Sequence, residues 1–179
     1  MVRQCDYFKY KLKMNINTCK ILSLGEVENI INTCLPIKPM FNGVYSFEQL
    51  DKVSLNSNTY AIICTLKLNE FEKVGHFYVV YMTKYGDLEV FDSLGQHLSC
   101  KQLKAFLNKN AKKEYKFVLG QLQSLQSVCC SYYCLYYIYH RCVYNFSLEE
   151  IIRSFNGKTH QELDKMVYQF CKNYILNFY

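Results

Sequence analysis

Residues 127 to 142 read SVCCSYYCLYYIYHRC, with three cysteines inside six positions and a fourth at the end. A thiol attacks as its thiolate, and the first turn of a helix favours that anion through its backbone N–H groups and dipole. Ser127 is suited to cap a helix running to about Cys142, which predicts Cys130 in its first turn. Cys130, Cys134, Tyr137 and Ile138 then form one buried stripe, and Cys134 is expected to be core. His140 lies about 15 Å along the axis from Cys130, too far to be its base.

A better base stands in GHFYVVYMTKYGDLEVFDSLG, residues 75 to 95. The loop Lys84-Tyr85-Gly86 has Gly third, where a three-residue hairpin needs a left-handed residue. That register pairs Thr83 with Asp87, Tyr81 with Glu89, Val79 with Phe91 and Tyr78 with Asp92. His76 and Asp92 become diagonal neighbours roughly 7 Å apart at the open end of the hairpin. A carboxylate so placed can hold the imidazole in one tautomer and stabilise its charged form. Asp87 and Glu89 sit toward the turn, and His97 follows the strand in a loop. Upstream of the thiols, GQLQSLQS supplies Gln121, Gln123 and Gln126, and a side-chain amide there can donate to a developing oxyanion.

These residues need a scaffold. Capping patterns at Ser23/Glu26, Ser46/Gln49, Ser99/Gln102, Ser147/Glu150 and Thr159/Glu162 predict helices over 24–34, 47–53, 100–109, 148–155 and 160–176. Runs rich in Val, Ile, Tyr and Phe predict strands over 59–66, 76–82, 87–92 and 116–121. LPIKPM, with Pro36 and Pro39, reads as an extended connection. Strands gather centrally while helices flank them, which predicts an α+β domain with a central, mostly antiparallel sheet.

The 179 residues fit one domain, with 50% hydrophobic and 20% charged residues. No apolar run is long enough to span a bilayer, so no membrane partner is expected. An intracellular location follows, and with it reduced thiols: most of the ten cysteines are expected as free core residues. A zinc site built from Cys129, Cys130, Cys134, His140 and Cys142 is disfavoured, because one helix fans these side chains over several faces. No cofactor or metal is expected. The net charge of +6 permits contact with nucleic acid without requiring it.

The order His76, Asp92, Gln123, Cys130 resembles that of the adenain family, the cysteine proteases of adenoviruses, with relatives in polinton-like elements and virophages. The same permuted order occurs in the SUMO-protease clan and reverses that of papain. The resemblance spans residues 41 to 142, through FNGVYSFEQL, GHFYVVY, FDSLG and QSLQSVCCSYYC. It divides the chain into an N-terminal helical arm (1–40), a catalytic core (41–142) and C-terminal helices (143–179). It implies a permuted papain-like fold with the nucleophile at a helix N-terminus. Cys130 would be the nucleophile, His76 the base, Asp92 its orienting acid and Gln123 the oxyanion donor. Two positions depart from the pattern: Phe77 stands where Trp is usual, and Ser131 where Gly follows the nucleophile. The spacing from Gln123 to Cys129 also matches the SUMO-protease interval. Adjacent helical side chains diverge by about 100°, so only one of the two thiols can face His76; Cys130 is the favoured one.

The resemblance further implies cleavage of viral structural precursors after small residues (Gly-Gly or Gly-X) during virion maturation, with the enzyme packaged in the virion. It implies activation by a basic peptide and by DNA, for which the N-terminal arm and LNKNAKKEYK (107–116) supply basic patches. A deubiquitinase or SUMO-like protease shares the machinery. A non-catalytic basic virion protein that binds nucleic acid is the alternative from another class.

Overall fold

The computed structural model describes residues 19–64, 75–95, 101–113, 115–118 and 120–178. His97, Ser99, Glu114, the arm over 1–18, and residues 65, 66 and 119 of the expected strands lie outside these.

The chain forms an α+β fold in which a five-stranded mixed sheet is packed with helices. The strands are β1 (Phe41–Ser46), β2 (Thr59–Cys64), β3 (Phe77–Met82), β4 (Leu88–Phe91) and β5 (Tyr115–Phe117), lying side by side in that order. The expectation of a mostly antiparallel sheet is corrected. β1 pairs with β2 and β4 with β5 in parallel, and only the two central pairings are antiparallel. The two outer strands enter from helical connections, which are long enough to return the chain to the same end of the sheet. β1 itself was not expected from the sequence. Its FNGVYS carries Gly43 and only a partial alternation, and pairing with β2 is what makes it a strand.

Five α-helices follow the expected segments: α1 (Leu24–Thr33), α2 (Lys101–Asn110), α3 (Cys130–Cys142), α4 (Leu148–Arg153) and α5 (His160–Tyr174). Reciprocal capping boxes at Ser23/Glu26, Ser147/Glu150 and Thr159/Glu162 start α1, α4 and α5 as the sequence predicts. Phe47–Lys52 winds as a 3₁₀ helix instead of an α-helix. Lys38–Met40 is a second 3₁₀ turn, so LPIKPM is not extended: Pro39 starts that turn, where its missing N–H costs nothing.

The sheet is buried on both faces, which explains why TYAIIC and FYVVYM read as continuous apolar runs. Ala61, Ile63, Tyr78, Val80, Leu88 and Val90 pack on Leu103, Phe106 and Leu107 of α2. On the other face Ile62, Val79 and Phe91 meet α1, α3 and α5. Every residue of α3 from Cys130 to His140 is buried, so the helix has no exposed face in place of the single stripe expected. No helix among the described residues is long and apolar enough to cross a membrane.

One buried ion pair sets where α3 lies. Glu89 of β4 accepts from Arg141 Nε at 2.8 Å and Nη2 at 2.9 Å, and the Tyr137 hydroxyl donates to the same carboxylate. Tyr137 also stacks on Phe91, ring centroids 4.6 Å apart. The two charged side chains are 12% and 8% exposed. Losing one partner strands the other charge, so Arg141→Met is expected to destabilise the fold by roughly 3–5 kcal/mol. Urea unfolding measures this, and the double variant Arg141→Met/Glu89→Gln should recover most of the loss.

Candidate active site

The hairpin β3–β4 adopts the register read from its sequence, with Val79 opposite Phe91 and Tyr81 opposite Glu89. Gly86 has φ +87° in the loop, and Thr83 N donates to Asp87 O at 2.9 Å. His76 immediately precedes β3 and Asp92 immediately follows β4, so the strands deliver both to one end of the sheet. His76 Nε2 lies 2.6 Å from Asp92 Oδ1. The same oxygen accepts from Leu94 N at 2.9 Å, while the buried Oδ2 has no hydrogen-bond partner among the described residues. Asp92 is 3% exposed.

Cys130 completes the row. It is the first residue of α3, and its side chain is hydrogen-bonded to His76. With Nε2 engaged by Asp92, Nδ1 is the ring nitrogen left to face the thiol. Burial opposes a charged imidazole at His76, but the hydrogen bonds and charges of Asp92 and Cys130 outweigh it and raise its pKa to about 9. At neutral pH the His76 ring is therefore favoured in its protonated form, between Asp92 and Cys130.

The helix start differs in detail from the expectation. Cys129, not Ser127, is the N-cap residue, and Ser127 Oγ accepts from Cys129 N at 3.1 Å in the turn before it. Ser127 still anchors the helix start, one turn earlier than a cap would. The structure also separates the two adjacent thiols. Cys129 forms a disulfide with Cys19, their Cα atoms 5.7 Å apart, so its sulfur is not a nucleophile. This corrects the expectation of reduced thiols at these two positions. The segment 19–22 packs beside the first turn of α3, with Leu22 in the core, and brings Cys19 within bonding geometry. A bond between residues 110 apart removes about 4–5 kcal/mol of unfolded-chain entropy in the loop-closure account.

The other cysteines of the stretch are not reactive in this setting. Cys134 is fully enclosed, and burial pushes its thiol well above the ordinary range. Burial raises Cys142 to about 12. His140 is far from the row: its Nδ1 lies 2.8 Å from Tyr136 O, and its ring stacks on Tyr136 and Phe170. Burial lowers its pKa, which keeps it neutral.

Gln123 is completely buried. Its Oε1 accepts from Ser93 Oγ at 2.8 Å and its Nε2 donates to Ser127 O at 2.9 Å, which leaves the second Nε2 hydrogen for another acceptor. Gln121 does not share this environment: it donates to Gln123 O at 2.8 Å and reaches His160 at 3.4 Å. Gln126 is exposed. The turn carrying Asp92 is bound to the loop carrying Gln123. Ser93 O accepts from both Leu122 N and Gln123 N at 2.8 Å. Gly95 (φ +59°) packs so closely on the Gly120 carbonyl that a Cβ would collide with it.

Two residues of this network were not singled out from the sequence. Ser93 directly follows Asp92 in FDSLG. Asp164, on α5, accepts from Tyr133 Oη of α3 at 3.0 Å. The available signal was its place at i, i+3 and i+7 with Val167 and Cys171, an acid on an otherwise apolar stripe.

No protein-family model and no curated protein matches this chain. In structure it is similar to the central domain of the uncharacterized Lpg1148 protein from Legionella pneumophila. That likeness covers 89% of this chain and 98% of the other, with a TM-score of 0.51 and 12% identity. At such identity it shows the fold alone. A match to the Legionella pneumophila effector protein RavZ covers 69% of this chain and 43% of that one, with 12% identity. Its TM-score of 0.32 is too low to carry any argument.

Limiting iodoacetamide near pH 6 is expected to label Cys130 at least tenfold faster than an ordinary thiol, since only a thiolate reacts there. Peptide mapping reads the site. A non-reducing map should recover Cys19 joined to Cys129, and His76→Ala should slow Cys130 to the rate of a plain thiol.

Proposed function

We propose that this protein is a cysteine endopeptidase of the permuted papain-like kind. The observation that carries the reading is His76 hydrogen-bonded on one side to Asp92 and on the other to Cys130, with Cys130 at the start of a buried helix. Three residues from two distant parts of the chain converge in the order nucleophile, base, acid. A surface ion pair at a sheet end would have no need of the thiol.

The Cys130 thiolate attacks the scissile carbonyl carbon, forming a C–S bond. The carbonyl oxygen takes up the negative charge as a tetrahedral oxyanion. Cys130 supplies a first-turn N–H, a donor that helix geometry turns away from the helix's own carbonyls. The remaining Nε2 hydrogen of Gln123 is the second donor. His76 gives its proton to the leaving amine as the C–N bond breaks, and then takes a proton from the water that hydrolyses the thioester. Asp92 fixes the ring and balances its charge throughout. Ser131, in place of the usual Gly, is buried.

The substrate class is the one that the resemblance to the adenain family implies. It would be cleavage after a small residue, as in Gly-Gly or Gly-X sequences of viral structural precursors. Virion maturation is the corresponding setting, with a basic peptide and DNA as candidate activators.

Cys130→Ala and His76→Ala are expected to abolish hydrolysis of a Gly-Gly-X peptide, and Asp92→Asn to reduce kcat by roughly 10²–10⁴-fold without abolishing it. Full turnover by His76→Ala would remove the assignment. Cleavage of a folded ubiquitin-like fusion in preference to the peptide would move the substrate to the deubiquitinase class. Protonated His76 is the acid for the leaving amine, so acylation by amides should fall as pH rises through about 9, where the imidazolium loses its proton. A pH–rate profile of kcat/KM that is flat from 8 to 10 would contradict this.

A further inference from the structure

Ser93 directly follows Asp92 in the turn after β4 and is 1% exposed. Its carbonyl accepts from Leu122 N and Gln123 N, both at 2.8 Å, and its hydroxyl donates to Gln123 Oε1 at 2.8 Å. One residue therefore holds Gln123 at the backbone and again at the far end of its side chain. The turn itself is closed by Gly95 N on Asp92 O at 3.1 Å and by Leu94 N on Asp92 Oδ1 at 2.9 Å. A single turn thus places the Asp92 carboxylate and reaches the Gln123 amide.

A glutamine reaches its amide through rotatable bonds, so the position of its backbone does not aim the amide. The amide group is flat, and the direction of its second N–H is set once both ends of the plane are held. At Gln123 the nitrogen donates to Ser127 O at 2.9 Å while the oxygen receives the Ser93 hydroxyl. The Ser127 carbonyl can only accept, so the nitrogen must face it and the oxygen must face Ser93. With either bond alone the plane would swing about that bond. We propose that Ser93 is a positioning residue for the oxyanion site: its hydroxyl fixes the plane of the Gln123 amide and so aims the second Nε2 hydrogen at the tetrahedral intermediate. This rests on the peptidase reading above and gives the residue after Asp92 a task in it.

Alanine in place of Ser93 removes the hydroxyl and keeps the carbonyl, so the loop stays bound to the turn while the amide loses one of its two fixed ends. The bond from Gln123 Nε2 to Ser127 O remains, as does the 2.6 Å contact of His76 with Asp92, and Cys130 stands on α3. None of these uses the Ser93 hydroxyl. Two reactions of the Cys130 thiolate separate the aim of the amide from the reactivity of the thiol. Alkylation by iodoacetamide forms C–S and expels iodide without an oxyanion. Acylation by a glycyl-peptide p-nitrophenyl ester forms C–S, passes through an oxyanion and expels nitrophenolate.

The test measures both rates on the full chain for the wild type, Ser93→Ala, Gln123→Ala and the double variant, with peptide mapping of the alkylated thiol and thermal unfolding as a check on folding. Gln123→Ala should lower acylation by about 10²-fold, the scale of losing one oxyanion donor. Ser93→Ala leaves that donor present but unaimed and should lower acylation by about tenfold, a part of the same loss. Its alkylation rate at Cys130 should stay within about twofold of the wild type, because that reaction makes no oxyanion. The double variant should acylate no more slowly than Gln123→Ala, since the hydroxyl acts only through the amide. Ser93→Cys, of similar shape with a weaker donor, should lie between the wild type and Ser93→Ala, and it stands in for Ser93→Ala if that chain does not fold. Unchanged acylation overturns the proposal. So does a parallel fall in alkylation, or a double variant slower than Gln123→Ala, either of which marks a role apart from the amide. Slow, uniform alkylation of the wild type would instead overturn the peptidase reading itself, and the proposal with it.

Discussion

The seating of α3 on the sheet is the constraint on which the site depends. Cys130 lies at one end of this helix and His76 and Asp92 lie at one end of the sheet, so any slide or rotation of the helix separates them. Glu89 takes two hydrogen bonds from Arg141 and a third from Tyr137, near the far end of the helix from Cys130. Such a buried pair adds little net stability over apolar packing, but its geometry tolerates no slip. Tyr81, opposite Glu89 on β3, lies under the Arg141 guanidinium at 4.6 Å, so the adjacent strand takes part in the same lock.

At the other end the helix start is held from three sides. The Asp92 turn grips the Gln123 loop through Ser93, Asp164 of α5 receives the Tyr133 hydroxyl from the first turn of α3, and the segment before α1 is bonded to Cys129. These constraints come from parts of the chain separated by many residues. Together they hold Cys130, His76, Asp92 and Gln123 in one ordered row, the pre-organisation that the proposed chemistry requires. The disulfide also removes the neighbouring thiol from competition for His76.

Much of this was legible in one dimension because it is local. A hairpin with Gly third in a three-residue loop has one comfortable register, and that register alone brings His76 beside Asp92. Capping boxes announce helix starts because the donors that they satisfy lie within three residues. Cys130 falls in a first turn by the same kind of counting. Where the reading failed, a longer range was at work. The parallel pairings of β1 and β5, the 3₁₀ winding at Phe47–Lys52 and the cap at Cys129 are set by what packs against them, not by their own residues.

The sequence by itself determined the capped helix starts, the hairpin register and the identity of the four residues that could share a chemistry, since each depends on side chains a few positions apart. Only the tertiary structure decided which of Cys129 and Cys130 meets the imidazole, which partner the other takes, and which distant carboxylate receives Tyr133. Adjacent thiols carry the same local signal. What distinguishes them is the position of α3 on the sheet and the approach of residue 19, and those follow from burial of surfaces gathered from the whole chain.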